Sequence, residues 1–243
     1  DGEISFQKAR TALGGDVDGV LREFGAFDEN GLVAIPDNLS YEEAATLPCA
    51  GVTAYNALFC SGGLKPDDTV LLQGTGGVSI FALQFASHFG AKTIITSSSD
   101  EKLNKAKEFG ADELVNYKNR EDWDKAVLEL TEKRGVDSIV EVGGAGTMQK
   151  SVNAVKMGGH IAVIGVLSGA GEGINPVDVL RKLIKMHGIF VGSRQMFEDM
   201  NRLISQHNIK PVIDRVYEFD QAREALKTME SASHFGKIVV KIG

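Results

Sequence analysis

The sequence has few cysteines and no long apolar run. Only Cys49 and Cys60 occur among its 243 residues, which excludes a disulfide framework and favours a reducing intracellular compartment. No apolar stretch approaches the roughly 20 residues that a membrane-spanning helix needs, and no signal-like segment is visible at the start of the sequence. These absences predict a soluble, cytoplasmic protein without a membrane partner.

A basic block is also missing. The net charge is −7, and lysines and arginines are scattered among acidic residues, which argues against nucleic acid as a partner. Charged residues make up 24% of the chain, near the globular average, and hydrophobic residues make up 43%. This composition can bury one large core or two smaller ones.

Two signatures of other enzyme classes are absent. No tyrosine is followed four residues later by lysine, as short-chain dehydrogenases require, and no G-x-x-x-x-G-K-[ST] phosphate loop occurs. The five histidines are dispersed without metal-ligand spacing, so each is expected to be an ordinary surface or hydrogen-bonded histidine.

From Thr69 onward, short apolar runs alternate with amphipathic segments. Strands that are apolar on both faces and alternate with helices indicate a parallel sheet covered by helices. The predicted strands lie at residues 69–73, 92–96, 113–116, 136–142, 160–164 and 189–191, and the predicted helices lie at 78–89, 100–109, 122–130, 147–155 and 177–186. Six strands with five crossovers fit an α/β doubly wound nucleotide-binding domain.

The flanks of this region follow a different pattern. Residues 32–35 look like a strand before Pro36, in a segment that is too short to fold alone. After residue 191, the pattern predicts a helix at 197–207, a strand around Val216, a helix at 221–231 and a final strand at 237–242. Within the sheet region, Ser98-x-x-Glu101 predicts a capping box that opens the second helix.

A glycine-rich turn separates the first predicted strand from the first predicted helix. The strand ends at Gln73, and Gly74-Thr75-Gly76-Gly77-Val78-Ser79 leads into the helix, which is the arrangement of dinucleotide-binding folds. Gly74 would permit the tight turn, Gly76 would let the backbone approach a pyrophosphate, and Ser79 would be the small third residue. A glycine-rich turn without a ligand is the alternative.

The end of the second predicted strand indicates which nucleotide is bound. NAD sites carry Asp or Glu about 20 residues after the glycines, where it accepts hydrogen bonds from the ribose. Here residues 96–99 read TSSS, and Asp100 and Glu101 follow only in the next helix. Hydroxyls and the cation Lys102 would accept a 2′-phosphate that a carboxylate would repel. The sequence therefore predicts NADP, with NAD as the alternative.

With these residues placed, the chain resembles the medium-chain dehydrogenase/reductase superfamily, which includes alcohol dehydrogenases and quinone reductases. The resemblance covers essentially the whole chain. Its motifs are the glycine turn, LPCAGVTAYNAL at residues 47–58, GAD at 110–112, VGSR at 191–194 and HFGKIVV at 234–240. The turn sequence QGTGGVS is similar to that of a subgroup that generally lacks zinc.

The resemblance implies that the six-stranded Rossmann sheet is accompanied by the remnant of a GroES-like β-barrel catalytic domain. Residues 1–45 would be the C-terminal part of that catalytic domain's first portion, residues 46–192 the dinucleotide-binding domain, and residues 193–243 the return to the catalytic domain. Most of the first half of the catalytic domain would then lie outside this sequence. A homodimer or homotetramer that pairs the sheets through the sixth strand is also implied.

The resemblance assigns cofactor contacts position by position. The glycine turn would hold the pyrophosphate, the end of the second strand the 2′-phosphate and adenine, and the ends of the fourth and fifth strands would line the cofactor cleft. A last group would lie near the nicotinamide and phosphate end. In that order, the residues are Gly74, Thr75, Gly76, Gly77 and Val78; Ser97, Ser98, Lys102 and Tyr117; Gly143, Gly165 and Val166; and Thr53, Ser193 and Arg194.

Cys49 occupies the position of one catalytic zinc ligand in the alcohol dehydrogenases of this superfamily. A catalytic zinc takes three protein ligands, and the other two, a Cys and a His, would lie outside this sequence. Because the similar subgroup lacks zinc, Cys49 is expected to be an apolar helix residue, and no metal is expected.

The expected function is that of an NADP-dependent oxidoreductase. It would transfer a hydride between the nicotinamide and an alcohol/carbonyl pair or an activated alkene such as an enone or quinone, by positioning that small molecule against the cofactor. No individual catalytic residue is predicted. Two alternatives stay open, which are a zinc-dependent NAD alcohol dehydrogenase that uses Cys49 and a non-catalytic NADP-binding fragment.

Overall fold

The computed structural model describes residues 4–169, 171 and 174–243. Its centre is a six-stranded parallel sheet in the order β3-β2-β1-β4-β5-β6. The strands are β1 Thr69–Gln73, β2 Lys92–Ser97, β3 Glu113–Asn116, β4 Val136–Glu141, β5 Val155–Val163 and β6 Lys185–Gly188. This order is that of the doubly wound dinucleotide-binding fold, which confirms the predicted fold class.

Helices cover both faces of the sheet and continue beyond it. They are α1 Phe6–Ala9, α2 Tyr41–Ala44, α3 Val52–Tyr55, α4 Gly77–Phe89, α5 Asp100–Glu108, α6 Trp123–Leu130, α7 Met148–Ala154, α8 Pro176–Lys182, α9 Arg194–His207 and α10 Ala222–Glu230. π-Helical turns at Leu47–Gly51 and Asn56–Ser61 flank α3. No helix in the described ranges has the length and apolar character needed to cross a bilayer.

The core is divided between the two faces of the sheet. Val70 and Leu72 of β1 belong to one hydrophobic cluster, together with the α4 phenylalanines Phe81 and Phe85. Leu71 belongs to the other cluster, which includes Trp123 of α6. Since successive strand residues point to opposite faces, β1 is buried along its whole length.

The crevice of the fold lies between β1 and β4. Leu72 of β1 pairs with Val140 of β4, so Gln73 and Glu141 end the two strands side by side. The chain then runs from β1 to β2 on one side and from β4 to β5 on the other. Connections that leave in opposite directions open a crevice at the carboxyl ends of the strands, which is where such folds bind ligands.

Three predicted strands differ from the structure. The fifth begins at Val155, before its predicted start at residue 160, because Gly158 and Gly159 interrupt its apolar run. The sixth strand is Lys185–Gly188, so its prediction at residues 189–191 was wrong by about one strand length. This strand lies at the edge of the sheet, where polar residues are tolerated. The apolar run that predicted a strand was therefore not the strand itself but the residues that follow it. Residues 32–35 form no strand; Leu32 and Ile35 are exposed, and no described strand lies beside them.

A smaller parallel sheet follows α9. It consists of β7 Ile213–Glu218 and β8 Lys237–Lys241, with α10 between them. The loop before β8 reaches back to the large sheet, because Gly236 forms an isolated β-bridge with Gly76 of the glycine turn. The C-terminal residues are thereby placed at the end of β1.

A buried histidine connects β5 to its surroundings. His160 is only 4% exposed, and its Nε2 lies 3.0 Å from Ser61 Oγ and 3.1 Å from His187 Nδ1. Its Nδ1 lies 3.2 Å from Ser138 Oγ. Burial, followed by the charges of His187 and Lys185, lowers the pKa of His160 to about 4, so the ring is neutral in the folded protein near pH 7.

We expect stability to fall as the pH is lowered from about 6.5 towards about 4. In this range the unfolded chain takes up a proton on His160 that the folded chain does not bind. His160→Gln should remove this part of the pH dependence, as measured by denaturant unfolding at several pH values. His207→Gln, at an exposed position at the end of α9, is the control. An unchanged slope in His160→Gln would contradict this assignment.

Candidate functional site

Gly74 and Gly76 of the glycine turn are glycine for different structural reasons. Gly74 has φ of +70°, a left-handed conformation that favours glycine. Gly76 has φ of −79° and ψ of −179°, which any residue can adopt, and a Cβ there would meet no atom within 4 Å. Gly74 therefore makes the turn, whereas the Cβ side of Gly76, immediately before α4, faces open space.

Ser79 replaces the third glycine of the fingerprint with a specific hydrogen bond. It is 2% exposed, and its Oγ donates to the carbonyl of Gln73 at 2.6 Å. This bond joins the first turn of α4 to the last residue of β1. A small side chain is required there, and the hydroxyl fixes the turn on which the open backbone depends.

The C-terminal segment docks on the same turn. Gly236 donates its N–H to the carbonyl of Thr75 at 2.9 Å, and Lys237 follows directly. The stem of Lys237 covers Gly77, since a Cβ on Gly77 would lie 2.4 Å from Lys237 Cδ. Among the described residues, no salt bridge or hydrogen bond is found for the Lys237 ammonium group. The turn thus packs against the stem of a lysine from the C-terminal segment.

Sequence reasoning missed Lys237. Its only signal was the closing motif HFGKIVV, which supported the resemblance but carried no predicted role. The long separation from Gly77 gives no local pattern that would place the two together.

A cavity of about 480 Å³ lies at the carboxyl ends of the central strands. It brings together the predicted residues Gly74, Tyr117 and Gly143. The other lining residues were not predicted; they are Gln73, Thr96, Glu121, Trp123, Val142, Gly146, Thr147, Lys150, Leu167 and Ser168. The cavity therefore spans the crevice between β1 and β4 and extends towards the end of β3.

The end of β2 presents hydroxyls and no carboxylate. Ser97 is buried and ends the strand, and Ser98 is half-buried. Ser99 is the N-cap of α5, with its Oγ accepting from the N–H of Lys102 at 3.3 Å. The cap lies one residue later than the predicted Ser98 capping box. The Nζ of Lys102 donates to the carbonyl of Ala232 at 2.8 Å, so this lysine also contacts the C-terminal loop.

The predicted residues after β5 form the rim beside the cavity. Gly165 packs closely on β4, since a Cβ there would lie 2.5 Å from the carbonyl oxygen of Val142. Val166 is 63% exposed, next to the cavity residue Leu167. Val78 and Gly77, in contrast, belong to the first turn of α4.

The residues predicted near the nicotinamide and phosphate end do not line the cavity. Thr53 is buried in α3. Ser193 caps α9 by accepting from the N–H of Met196 at 3.2 Å. Arg194 donates to Glu198 Oε1 at 2.9 Å and to the carbonyl of Asn30 at 2.9 Å.

The turn between β6 and α9 holds a backbone strain that no sequence pattern indicated. Val191 has φ of +55°, which is unusual for a β-branched residue. The Nδ2 of Asn56 donates to the carbonyl of Val191 at 2.9 Å. Strained residues of this kind persist where surrounding contacts hold them and are common beside functional sites.

Comparison with known proteins places this site in a family. A model of the family described as zinc-binding dehydrogenase matches residues 77–206. The chain belongs to this family. A zinc-type alcohol dehydrogenase-like protein of Schizosaccharomyces pombe, C1773.06c, is 43% identical over the whole chain, which spans 72% of that protein.

Solved structures agree with the assignment. The crystal structure of an NAD-dependent alcohol dehydrogenase is 34% identical with a TM-score of 0.89, covering 95% of this chain and 67% of that one. A mycobacterial protein, Rv1454c, complexed with NADPH is 27% identical with a TM-score of 0.76, covering 85% and 67%. The chain is therefore an oxidoreductase of the medium-chain dehydrogenase/reductase superfamily, as the sequence motifs predicted.

The family name raises the question of a zinc site. Cys49 is exposed, so it does not pack as the apolar helix residue that was expected. In the described part of the chain, no three or more His, Cys, Asp or Glu side chains are grouped to hold a metal ion. These residues do not by themselves supply the three protein ligands of a catalytic zinc.

Replacement of Gly74 and of Gly76 by alanine should change the stability of the protein by different amounts. Gly74→Ala forces a side chain into the left-handed region and should lower the free energy of unfolding by about 1–2 kcal/mol. Gly76→Ala should lower it by only about 0.5 kcal/mol, because its conformation and surroundings accept a Cβ and only the preference for glycine over alanine at the helix N-cap is lost. Urea unfolding of both variants measures the difference, and equal losses would contradict the stated roles.

Proposed function

We propose that this protein binds NADP with its pyrophosphate at the glycine turn and transfers a hydride between the nicotinamide and a small organic substrate. The observation that carries the proposal is the open space on the Cβ side of Gly76 at the start of a 13-residue helix. The cavity at the switch point, next to this turn, supports it.

The turn supplies positive charge for a diphosphate in two ways. The first N–H groups of α4 have no partner within the helix, and the helix dipole is positive at this end. The Lys237 ammonium adds a full charge beside Gly77. A dinucleotide pyrophosphate is an anion of the size and charge that these groups would bind.

NADP is favoured over NAD by the end of β2. A carboxylate would be needed there to bind the ribose hydroxyls of NAD, but Ser97 and Ser98 occupy the position. Lys102 keeps two N–H donors beyond its bond to Ala232, and Tyr117 lies next to Ser97, whose carbonyl accepts from the Tyr117 N–H at 3.0 Å. One structural relative is NAD-dependent and another was solved with NADPH, so the relatives alone do not choose.

The proposed substrates are an alcohol/carbonyl pair or an activated alkene. The bound nicotinamide would supply or accept the hydride. The chain's own contribution is to bind the phosphates at the turn, to seat the rest of the nucleotide in the crevice and to orient it.

Direct titration tests the binding half of the proposal. NADPH added to the protein should change its fluorescence with a single saturable isotherm, and Gly76→Ala should raise the Kd by about tenfold or more by blocking the approach of the pyrophosphate. Gly31→Ala, where a Cβ would also meet nothing within 4 Å, is the matched control. If the wild-type protein binds neither NADPH nor NADH, the proposed function is wrong.

Substitution of two lysines should distinguish the contact with the pyrophosphate from the contact with the 2′-phosphate. Lys237→Gln should weaken NADPH and NADH by the same factor, about tenfold, because both carry the pyrophosphate. Lys102→Gln should weaken NADPH by a similar factor and leave NADH unchanged. Isothermal titration with both nucleotides provides the four affinities, and Lys241→Gln, which loses only its exposed ion pair with Glu42, is the control. Loss of NADH binding in Lys102→Gln would contradict the assignment to the 2′-phosphate.

A further inference from the structure

The last residue of β4 is a carboxylate buried in the floor of the crevice. Glu141 is 0% exposed, and no lysine, arginine or histidine within the described ranges forms an ion pair with it. A buried carboxylate without a cation is costly unless hydrogen-bond donors surround it. Neither the predicted cofactor contacts nor the proposed function uses this group.

Five donors surround Glu141. Its Oε1 accepts from the N–H of Gly143 at 2.8 Å, from the N–H of Gly144 at 3.0 Å and from Thr147 Oγ1 at 2.5 Å. Its Oε2 accepts from Gln73 Nε2 at 2.7 Å and from Ser151 Oγ. Donors of this number stabilise an ionised carboxylate inside a protein.

The donors come from the elements that line the cavity. Gln73 ends β1, Gly143 belongs to the loop after β4, and Thr147 directly precedes α7; all three are cavity residues. The Oε1 of Gln73 also accepts weakly from the N–H groups of Val142 and Gly143, at 3.3 and 3.4 Å. The Glu141 carboxylate therefore fixes three separate walls of one cavity from beneath.

The two glycine loops at this sheet edge consequently differ in their ability to bind a ligand phosphate. In the β1 loop, the space on the Cβ side of Gly76 is unoccupied by other protein atoms. In the β4 loop, Gly144 has φ of +88°, and consecutive N–H groups converge as in a backbone anion nest. Here that nest is already filled by Glu141, so its donors are not free for a ligand phosphate.

The cavity walls are mostly uncharged, although Glu121 and Lys150 are among the lining residues. Tyr117, Trp123 and Leu167 provide apolar surface, and Thr96 provides a hydroxyl. Of the two cavity residues with charged side chains, Lys150 donates its Nζ to the backbone carbonyl of Glu121 at 2.6 Å. A phosphate would meet the buried negative charge of Glu141 behind the β4 loop.

Building on the proposed function, we propose that Glu141 is a positioning residue that fills the anion nest of the β4 loop in place of a ligand phosphate. It holds Gln73, Gly143 and Thr147 as the walls that receive the uncharged base of the dinucleotide. Phosphate groups are thereby directed to the β1 turn, so the two glycine loops divide the nucleotide between them.

Replacement of the carboxylate and its restoration by a small anion test this role. Glu141→Ala should raise the Kd for NADPH by about tenfold, and sodium formate should restore affinity by occupying the vacated nest, with sodium chloride keeping the ionic strength constant. Formate should also raise the melting temperature of nucleotide-free Glu141→Ala and not that of the wild type. Glu113→Ala, which removes an exposed carboxylate at the start of β3, should bind NADPH normally with or without formate.

A second variant covers the case in which Glu141→Ala does not fold. Glu141→Gln keeps the shape but loses the charge and one acceptor, so it should bind NADPH more weakly than the wild type. Wild-type affinity in either variant would overturn the proposal, and so would a loss of affinity in Glu141→Ala that formate does not restore. If the wild type binds no nucleotide, the proposed function fails, and the formate-dependent melting temperature still decides whether Glu141 fills an anion nest.

Discussion

The side chains of Gln73 and Glu141 join the carboxyl ends of β1 and β4 by a buried hydrogen bond of 2.7 Å. These two strands are neighbours at the point where the strand order reverses, so the glycine turn and the loop after β4 are both placed relative to this pair. On one side, Ser79 bonds to the Gln73 carbonyl and fixes the glycine turn. On the other side, Glu141 holds the loop that follows β4. Loss of this connection would leave two glycine loops without a common frame.

The proposed difference between the two loops, phosphate at one and an uncharged group at the other, follows from where charge is buried. The helix that follows β1 presents free N–H groups, and Lys237 adds a cation to them, so this loop suits phosphate. The loop after β4 encloses an anion of its own and suits an uncharged group. Lys102 donates a hydrogen bond to the C-terminal segment that crosses the turn, and Lys237 belongs to that segment. The proposed phosphate side of the site therefore combines the glycine turn with the C-terminal segment and does not depend on the Rossmann motif alone.

Much of the fold could be predicted from the sequence because its signals are local. Apolar runs gave β1 at residues 69–73 and β3 at residues 113–116 as the structure has them, and the glycine turn followed from residue order. Edge and end positions were less predictable, since β6 is partly polar at the sheet edge and the α5 cap is Ser99 instead of Ser98. The contacts of Lys237 with Gly77 and of Glu141 with Gln73 join residues far apart in the chain, and no periodicity encodes them. Whether the predicted cofactor residues act as assigned stays a prediction.

The most direct measurement is the crystal structure of the protein with NADPH. The account predicts pyrophosphate oxygens within hydrogen-bond distance of the N–H groups at residues 76–78, with the Lys237 ammonium group beside them. It also predicts the base in the cavity between Tyr117 and the β4 loop, with Glu141 still bonded to Gly143 and Gly144. A phosphate bound to the N–H groups of the β4 loop, with the Glu141 carboxylate displaced, would contradict it.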